Sequence, residues 1–231
     1  MTEDQHLAPY LAVLERIDGL ARSGRSALDD PVPACPGWTA RRTIAHLAGL
    51  AEDWVAGRLD GYGSDAWAGA QADRFDGRSI EDVLDAWAAA AALFADLGPS
   101  PIGGTAAMWA FGDAVVHEAD LRPVLAPGTT VPAESMTLGL KAAIARWRAE
   151  LGAAGVPPLD VVASDLRTWR VGPAGEPAAT VTTTANELFR GLFGRRSLQQ
   201  AQAWDWRGDP QPYLAVPLPY PFRWAEQDLI D

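Results

Sequence analysis

The stretch that decides the fold is Thr105-Ala-Ala-Met-Trp-Ala-Phe-Gly-Asp-Ala-Val-Val-His-Glu-Ala-Asp-Leu-Arg122, an apolar helical run that sets Asp113, His117 and Asp120 at i, i+4 and i+7. Four residues advance a helix by about 400° and about 6 Å, so these three side chains leave one face. A carboxylate and an imidazole one turn apart can share a metal ion, because each reaches the space between them with an oxygen or nitrogen donor. One helix alone leaves such an ion under-coordinated. A third donor is His46 in Thr39-Ala-Arg-Arg-Thr-Ile-Ala-His-Leu-Ala-Gly49, in mid-helix and directly after Val32-Pro-Ala-Cys-Pro-Gly-Trp-Thr39. The residues point to a three-donor metal site, His46, Asp113 and His117, built between two helices of a bundle.

Composition narrows the setting. A chain of 231 residues with 48% hydrophobic content can bury a sizeable core, as one large domain or two small ones. The formal charge of -11 argues against nucleic acid or an anionic membrane surface as a partner, which leaves small molecules. No apolar run is long enough to span a bilayer, and Met1-Thr-Glu-Asp-Gln-His6 lacks the basic and apolar regions of a signal peptide, so a cytoplasmic location is expected. Cys35 is the single cysteine, which excludes an internal disulfide and any Cys-x-x-Cys chemistry. A thiol mechanism therefore needs an external thiol. The tryptophans are scattered, and Trp54, Trp87 and Trp147 fall on apolar helix faces as core residues.

Along the chain, the three-four spacing of Leu7, Tyr10, Leu11, Leu14, Ile17 and Ala21 predicts a first amphipathic helix over 3–22. Asp29 to Trp38, with three prolines, reads as a rigid extended link, and Thr39 as the N-cap of a second helix to about Leu59. The Gly-, Asp- and Ala-rich segment Asp60 to Gly77 reads as a long loop with at most a short turn around Trp67. Ser79-Ile-Glu-Asp82 resembles a capping box opening a third helix that stops at Gly98-Pro99. The metal-bearing helix runs from near Thr105 to about Leu121, where Pro123 argues against continuation. A fifth follows Pro132 and ends at Gly152 and Gly155. From about 156 the pattern changes to short β-branched runs, 159–163, 166–171 and 178–183, with a hairpin-like turn at Gly172-Pro-Ala-Gly175 and a short helix after the capping box Thr184-Ala-Asn-Glu187. The expected organisation is mainly α: a metal-binding antiparallel helical bundle over 1–155, then a small α+β domain over 156–231 that ends in a Pro-rich tail, 213–224, extended over one of the domains.

Val-Pro-Ala-Cys-Pro-Gly-Trp-Thr39, His46-Leu-Ala-Gly49 and the Asp113-x-x-x-His117-x-x-Asp120 pattern together resemble the mycothiol-dependent maleylpyruvate isomerase family within the DinB-like metalloenzymes. The C-terminal run Ala185-Asn-Glu-Leu188 to Gly194-Arg-Arg196 is similar to the sterol-carrier-like domain of the same family. The resemblance implies a divalent metal, usually Zn2+, on His46, Asp113 and His117. It also implies mycothiol as thiol cosubstrate, adding to an activated double bond, allowing rotation about the resulting single bond and leaving again. A mycothiol S-transferase uses the first half of the same chemistry. The chain departs from the pattern with Asp113 where Glu is common, and with Arg42 where an acidic residue often follows the Trp-Thr pair.

The remaining residues are read beside that core. Asp120 is expected to orient a metal-bound histidine rather than to bind the ion, and Asp53 is a second candidate for that task. Cys35 reads as a small buried packing group rather than a nucleophile. His6 reads as an exposed residue of the first helix. Arg195 and Arg196 are candidates to hold an anionic part of substrate or thiol, the favoured alternative being that they suit the dipole at the end of the short helix; Arg122 is open to the same two readings, and Arg223 reaches the cleft if the tail folds over it. The function expected is a metal-dependent enzyme using a low-molecular-weight thiol on a small electrophile. Two rivals remain open: a metal-dependent hydrolase that keeps water on the ion, and a non-enzymatic protein that binds metal or a small ligand.

Overall fold

The computed structural model describes residues 5–230. They form two compact units, one ending at Val131 and the other running from Pro132 to Ile230. Each is described by itself.

In the first unit the helices are α1 (Leu7–Ser23), α2 (Ala40–Ala56), α3 (Asp65–Asp73), α4 (Ile80–Ala92) and α5 (Ala106–Leu125). Their starts are written in the sequence. The side chains of Thr39, Ser64, Ser79 and Thr105 each accept a hydrogen bond from the backbone N–H three residues on, which satisfies an otherwise orphaned donor. α1, α4, α2 and α5 neighbour one another in a closed ring, and α3 lies against α2. The interior is filled by Ile17, Ile44, Leu47, Trp87, Phe111 and Val115, all essentially inaccessible to solvent. Trp54 and Trp87 occupy the core places their spacing assigns them.

Two buried carboxylates tie the ring together. Glu118 on α5 is fully enclosed and accepts from Arg16 on α1 at 2.9 and 2.7 Å, and from Arg122 one turn along its own helix at 2.6 Å. Asp53 on α2 is 2% exposed and accepts from Arg58, Gln71 and Arg74 at 2.8, 2.8 and 2.9 Å, which binds α3 to α2. Both are buried charges with their lone pairs taken up, the condition under which such burial is tolerated.

Four local expectations give way here. The segment 60–77 contains α3, a nine-residue helix that offers no apolar stripe: only Gln71 and Ala72 are buried, and Gly49 of α2 lets the Gln71 backbone approach so closely that an added Cβ would meet its carbonyl at 2.6 Å. α5 continues through Pro123 to Leu125, since a proline in the last turn forgoes a single ladder bond without breaking the turns before it. The link before α2 is not extended: Val32 N–H bonds to the Trp38 carbonyl at 2.9 Å, Cys35 N–H to Val32 and Trp38 N–H to Cys35, folding 32–38 into a knot with Gly37 at φ +83°. His6 is half-buried ahead of α1, its ring 6.5 Å from that of Phe111.

The second unit begins with α6 (Ala133–Ala153), which packs against α7 (Ala185–Leu192) and strand β2 (Arg167–Val171). The division between units therefore falls at 131/132, ahead of the composition change at 156, because Leu140, Ile144, Trp147 and Leu151 belong to a helix that covers the sheet. The sheet has the order β2-β1-β3-β4, with β1 at Leu159–Ala163, β3 at Ala179–Thr183 and β4 at Asp205–Arg207. β1 pairs antiparallel with β2 and parallel with β3. The hairpin turn is thus at 164–166, and Gly172-Pro-Ala-Gly175 instead begins the connection that carries the chain past β1 to its other edge. Alternate residues Leu159, Val161, Ala163, Trp169, Val171, Ala179 and Val181 are buried, as a half-covered sheet requires. α8 (Leu198–Gln202) opens with a complete capping box, Ser197 with Gln200. At α7 Thr184 caps as expected, but Glu187 turns away to pair with Arg196 at 2.6 Å. The terminal segment forms α9 (Gln211–Leu214) and then a chain with Val216 and Leu218 buried, held to Ser197 by a parallel bridge at Ala225.

Candidate metal centre

His46 lies at the middle of α2, and Asp113 and His117 lie one turn apart at the middle of α5, a direct neighbour of α2 in the ring. His46 Nε2 stands 2.9 Å from Asp113 Oδ2, and His117 Nε2 stands 3.9 Å from Asp113 Oδ1. The two imidazoles meet edge to face with centroids 5.2 Å apart. One donor atom from each residue lies within 4.8 Å of the others, so the three form a group able to hold a metal ion. Ligand atoms about 2.0–2.1 Å from a tetrahedral zinc stand about 3.3 Å from one another, a separation that the observed 2.9 and 3.9 Å bracket. Two imidazoles and a carboxylate are donor types that suit a divalent ion.

Its surroundings differ from one side to the other. His46 is 4% and His117 7% exposed, whereas the Asp113 side chain is 30% exposed, so the group is open on the carboxylate side. Behind His117, Nδ1 stands 3.0 Å from Asp120 Oδ2, and that carboxylate is wholly enclosed. Asp120 therefore fixes the proton on Nδ1 and leaves the Nε2 lone pair turned towards Asp113. His46 has no such partner: among the described residues, nothing hydrogen-bonds its Nδ1. Trp38 meets its ring edge to face at 5.3 Å, and the Arg42 guanidinium lies over the Trp38 ring at 5.5 Å while bonding to Asp73 at 2.6 Å. Arg42 thus fastens the residue that screens His46.

Beneath the group, Tyr10 is buried and its hydroxyl accepts from the Trp87 indole at 2.7 Å. Burial pushes the Tyr10 hydroxyl up from the ordinary tyrosine range; the Trp87 bond offsets part of that rise and the Asp113 charge adds to it. The phenol stays protonated at neutral pH.

The other sequence candidates divide. Asp53 does not serve His46, because its carboxylate is already taken by Arg58, Gln71 and Arg74. Cys35 is half-buried and packed, but against this site: its Sγ is 3.7 Å from His117 Nδ1 and 3.4 Å from Asp120 Oδ2. Arg122 serves Glu118 and Thr129. Arg195 and Arg223 belong to the second unit, where Arg195 donates to the Phe193 carbonyl at 3.1 Å and the Arg223 carbonyl lies against Gly194. Tyr10, Trp38 and Cys35 are neighbours to which sequence reasoning gave no part in the site, reading Tyr10 and Cys35 as packing residues and Trp38 as part of the link ahead of α2. Only Trp38 and Cys35 carried a signal, their place just ahead of the His46 helix.

No family model matches the sequence, and no curated protein matches it significantly. Among solved structures, a crystal structure of the mycothiol-dependent maleylpyruvate isomerase superposes with a TM-score of 0.57 over 95% of this chain and 96% of that one, at 14% identity. This chain has that enzyme's fold. The crystal structure of a histidine-to-alanine mutant of the isomerase gives a TM-score of 0.56 over 95% and 96% of the two chains, at 13% identity. Among the described residues, no helix is long and apolar enough to cross a membrane.

Proposed function

We propose that the chain is a metal-dependent enzyme that uses a low-molecular-weight thiol, mycothiol in the first instance, to isomerise or S-transfer a small electrophilic substrate. Zn2+ or another divalent ion would be held by His46, Asp113 and His117. The observation that carries the reading is the convergence of donors from α2 and α5 on one point, with both histidines buried and only the carboxylate side open. The fold likeness to a mycothiol-dependent isomerase supports the choice of thiol chemistry. An ion with a free position supplies acidity to a bound thiol, so that thiolate exists at neutral pH without a protein base.

The chain's own residues set the conditions for that chemistry. Asp120 holds the Nδ1 proton of His117 and thereby orients its other nitrogen. Trp38, stacked beneath Arg42, keeps water from the His46 ring. The neutral Tyr10 hydroxyl adds no second negative charge beside Asp113.

Cobalt substitution followed by mycothiol titration tests the proposal. A visible spectrum that changes on thiol addition, and disappears in His46→Ala, is the expected result. Stoichiometric metal with no thiol response and turnover of esters or amides would instead make the chain a hydrolase, and metal-free protein after careful preparation would make it a binding module.

A further inference from the structure

His117 has a second ring nitrogen, and the groups around it form a second donor set. Cys35 Sγ is 3.7 Å from His117 Nδ1 and 3.4 Å from Asp120 Oδ2, and the two latter atoms are 3.0 Å apart. A tetrahedral zinc ion, taken as the yardstick, is about 2.3 Å from sulfur and about 2.0–2.1 Å from nitrogen and oxygen and spaces its ligand atoms by about 3.5 Å where sulfur is involved and by about 3.3 Å otherwise; a larger soft cation asks for slightly wider spacing. Every side of this triangle lies within about 0.3 Å of those values. Asp120 is enclosed and Cys35 is half-buried, so the group is backed by a buried carboxylate and its thiol lies nearer the surface than that carboxylate.

The geometry points to a thiophilic-metal site made by Cys35, His117 through Nδ1, and Asp120, which takes a soft cation such as Cd2+ or Cu+. Thiolate favours soft cations, whereas the imidazole and carboxylate donors of His46, Asp113 and His117 suit borderline ones. On binding, the Cys35 thiol proton leaves to solvent and the His117 proton moves from Nδ1 to Nε2. A neutral imidazole has one lone pair, so the ring serves one set at a time. The soft ion therefore withdraws His117 from the first set, and the two sites exclude each other. The existence of the second site does not depend on the first one holding a metal; only the exclusion does.

Cd2+ titration of the metal-free full chain, followed by the ultraviolet sulfur-to-cadmium charge-transfer absorption, tests this directly. The wild type is expected to show the band saturating at one Cd2+ per chain, with His46→Ala retaining it at an affinity no weaker than wild type. Cys35→Ser and Cys35→Ala should abolish it, and His117→Ala and Asp120→Asn should each weaken binding by at least about tenfold. Circular dichroism establishes that each variant is folded. Absence of the band in the wild type overturns the site. So does a band of unchanged affinity in His117→Ala, which marks a thiol binding cadmium alone. Because His46→Ala removes only the first set and Cys35→Ser only the second, failure of this site is distinguishable from failure of the proposed function.

Discussion

His117 Nδ1 and Asp120 Oδ2 lie 3.0 Å apart, with the carboxylate completely withdrawn from water. A buried acceptor at this distance fixes one tautomer and one ring orientation. Asp120→Asn keeps the shape but exchanges a charged acceptor for a neutral amide. Zn2+ affinity measured by chelator competition is expected to fall by about 10–100-fold, with the circular dichroism spectrum unchanged. An unchanged affinity would show that His117 does not use Nε2 for the ion.

The Asp53 clamp is a matter of stability and not of chemistry. Asp53→Ala leaves Arg58 and Arg74, 53% and 33% exposed, to regain water in part, whereas the fully buried Gln71 amide loses its acceptor. The loss should therefore fall within the range for a broken buried pair, about 3–5 kcal/mol. Urea unfolding checks it: the midpoint drops while the slope stays constant, and zinc stoichiometry is retained in the folded protein.

Gly49 gives a sharper steric prediction. A methyl group there meets the Gln71 carbonyl oxygen at 2.6 Å and its Cα at 2.8 Å, both backbone atoms of α3 that have no rotamer to escape into. Gly49→Ala should destabilise by about 1–3 kcal/mol, despite alanine's better helix propensity. A variant as stable as wild type would mean that α3 does not press on α2 in this way.

Tyr10 links stability to alkaline pH. Its folded pKa is raised above the ordinary tyrosine value of 10.0, so above that pH the folded state binds more protons than the unfolded one. The contribution is whole below pH 10.0 and is lost as pH rises through the folded value. Unfolding free energy should thus decline from pH 10.0 upwards. Tyr10→Phe should flatten part of that decline, Tyr213 being shifted in the same direction. At neutral pH the variant should cost about 1–3 kcal/mol, because the Trp87 indole N–H loses its acceptor.

What the sequence disclosed follows from how local each signal is. α1 announces itself through apolar periodicity, α2, α4 and α5 through side-chain caps as well, and the strands β1 to β3 through β-branched runs. α3 was illegible because an Ala- and Gly-rich helix that buries two residues has no stripe to detect, and β4 because three residues are too few for alternation. The Gly172 turn carried the chemistry of a hairpin, but the same chemistry serves a crossover, and the parallel pairing of β1 with β3 is a tertiary choice. The i, i+4 relation of Asp113 to His117 was readable in one helix, and His46 through its motif. Cys35 stands 82 residues from His117 in the chain, and nothing local could tell that the 32–38 knot turns its sulfur against the ring.

The convergence of the three donors is tested most directly by anomalous diffraction at the zinc edge from crystals of the zinc-loaded chain. A single strong peak per chain is expected at coordination distance from His46 Nε2, His117 Nε2 and the Asp113 carboxylate, and it should vanish in His46→Ala. A zinc-loaded protein whose peak lies elsewhere, or one in which His46 turns from the peak, would contradict the metal site and the thiol chemistry built on it.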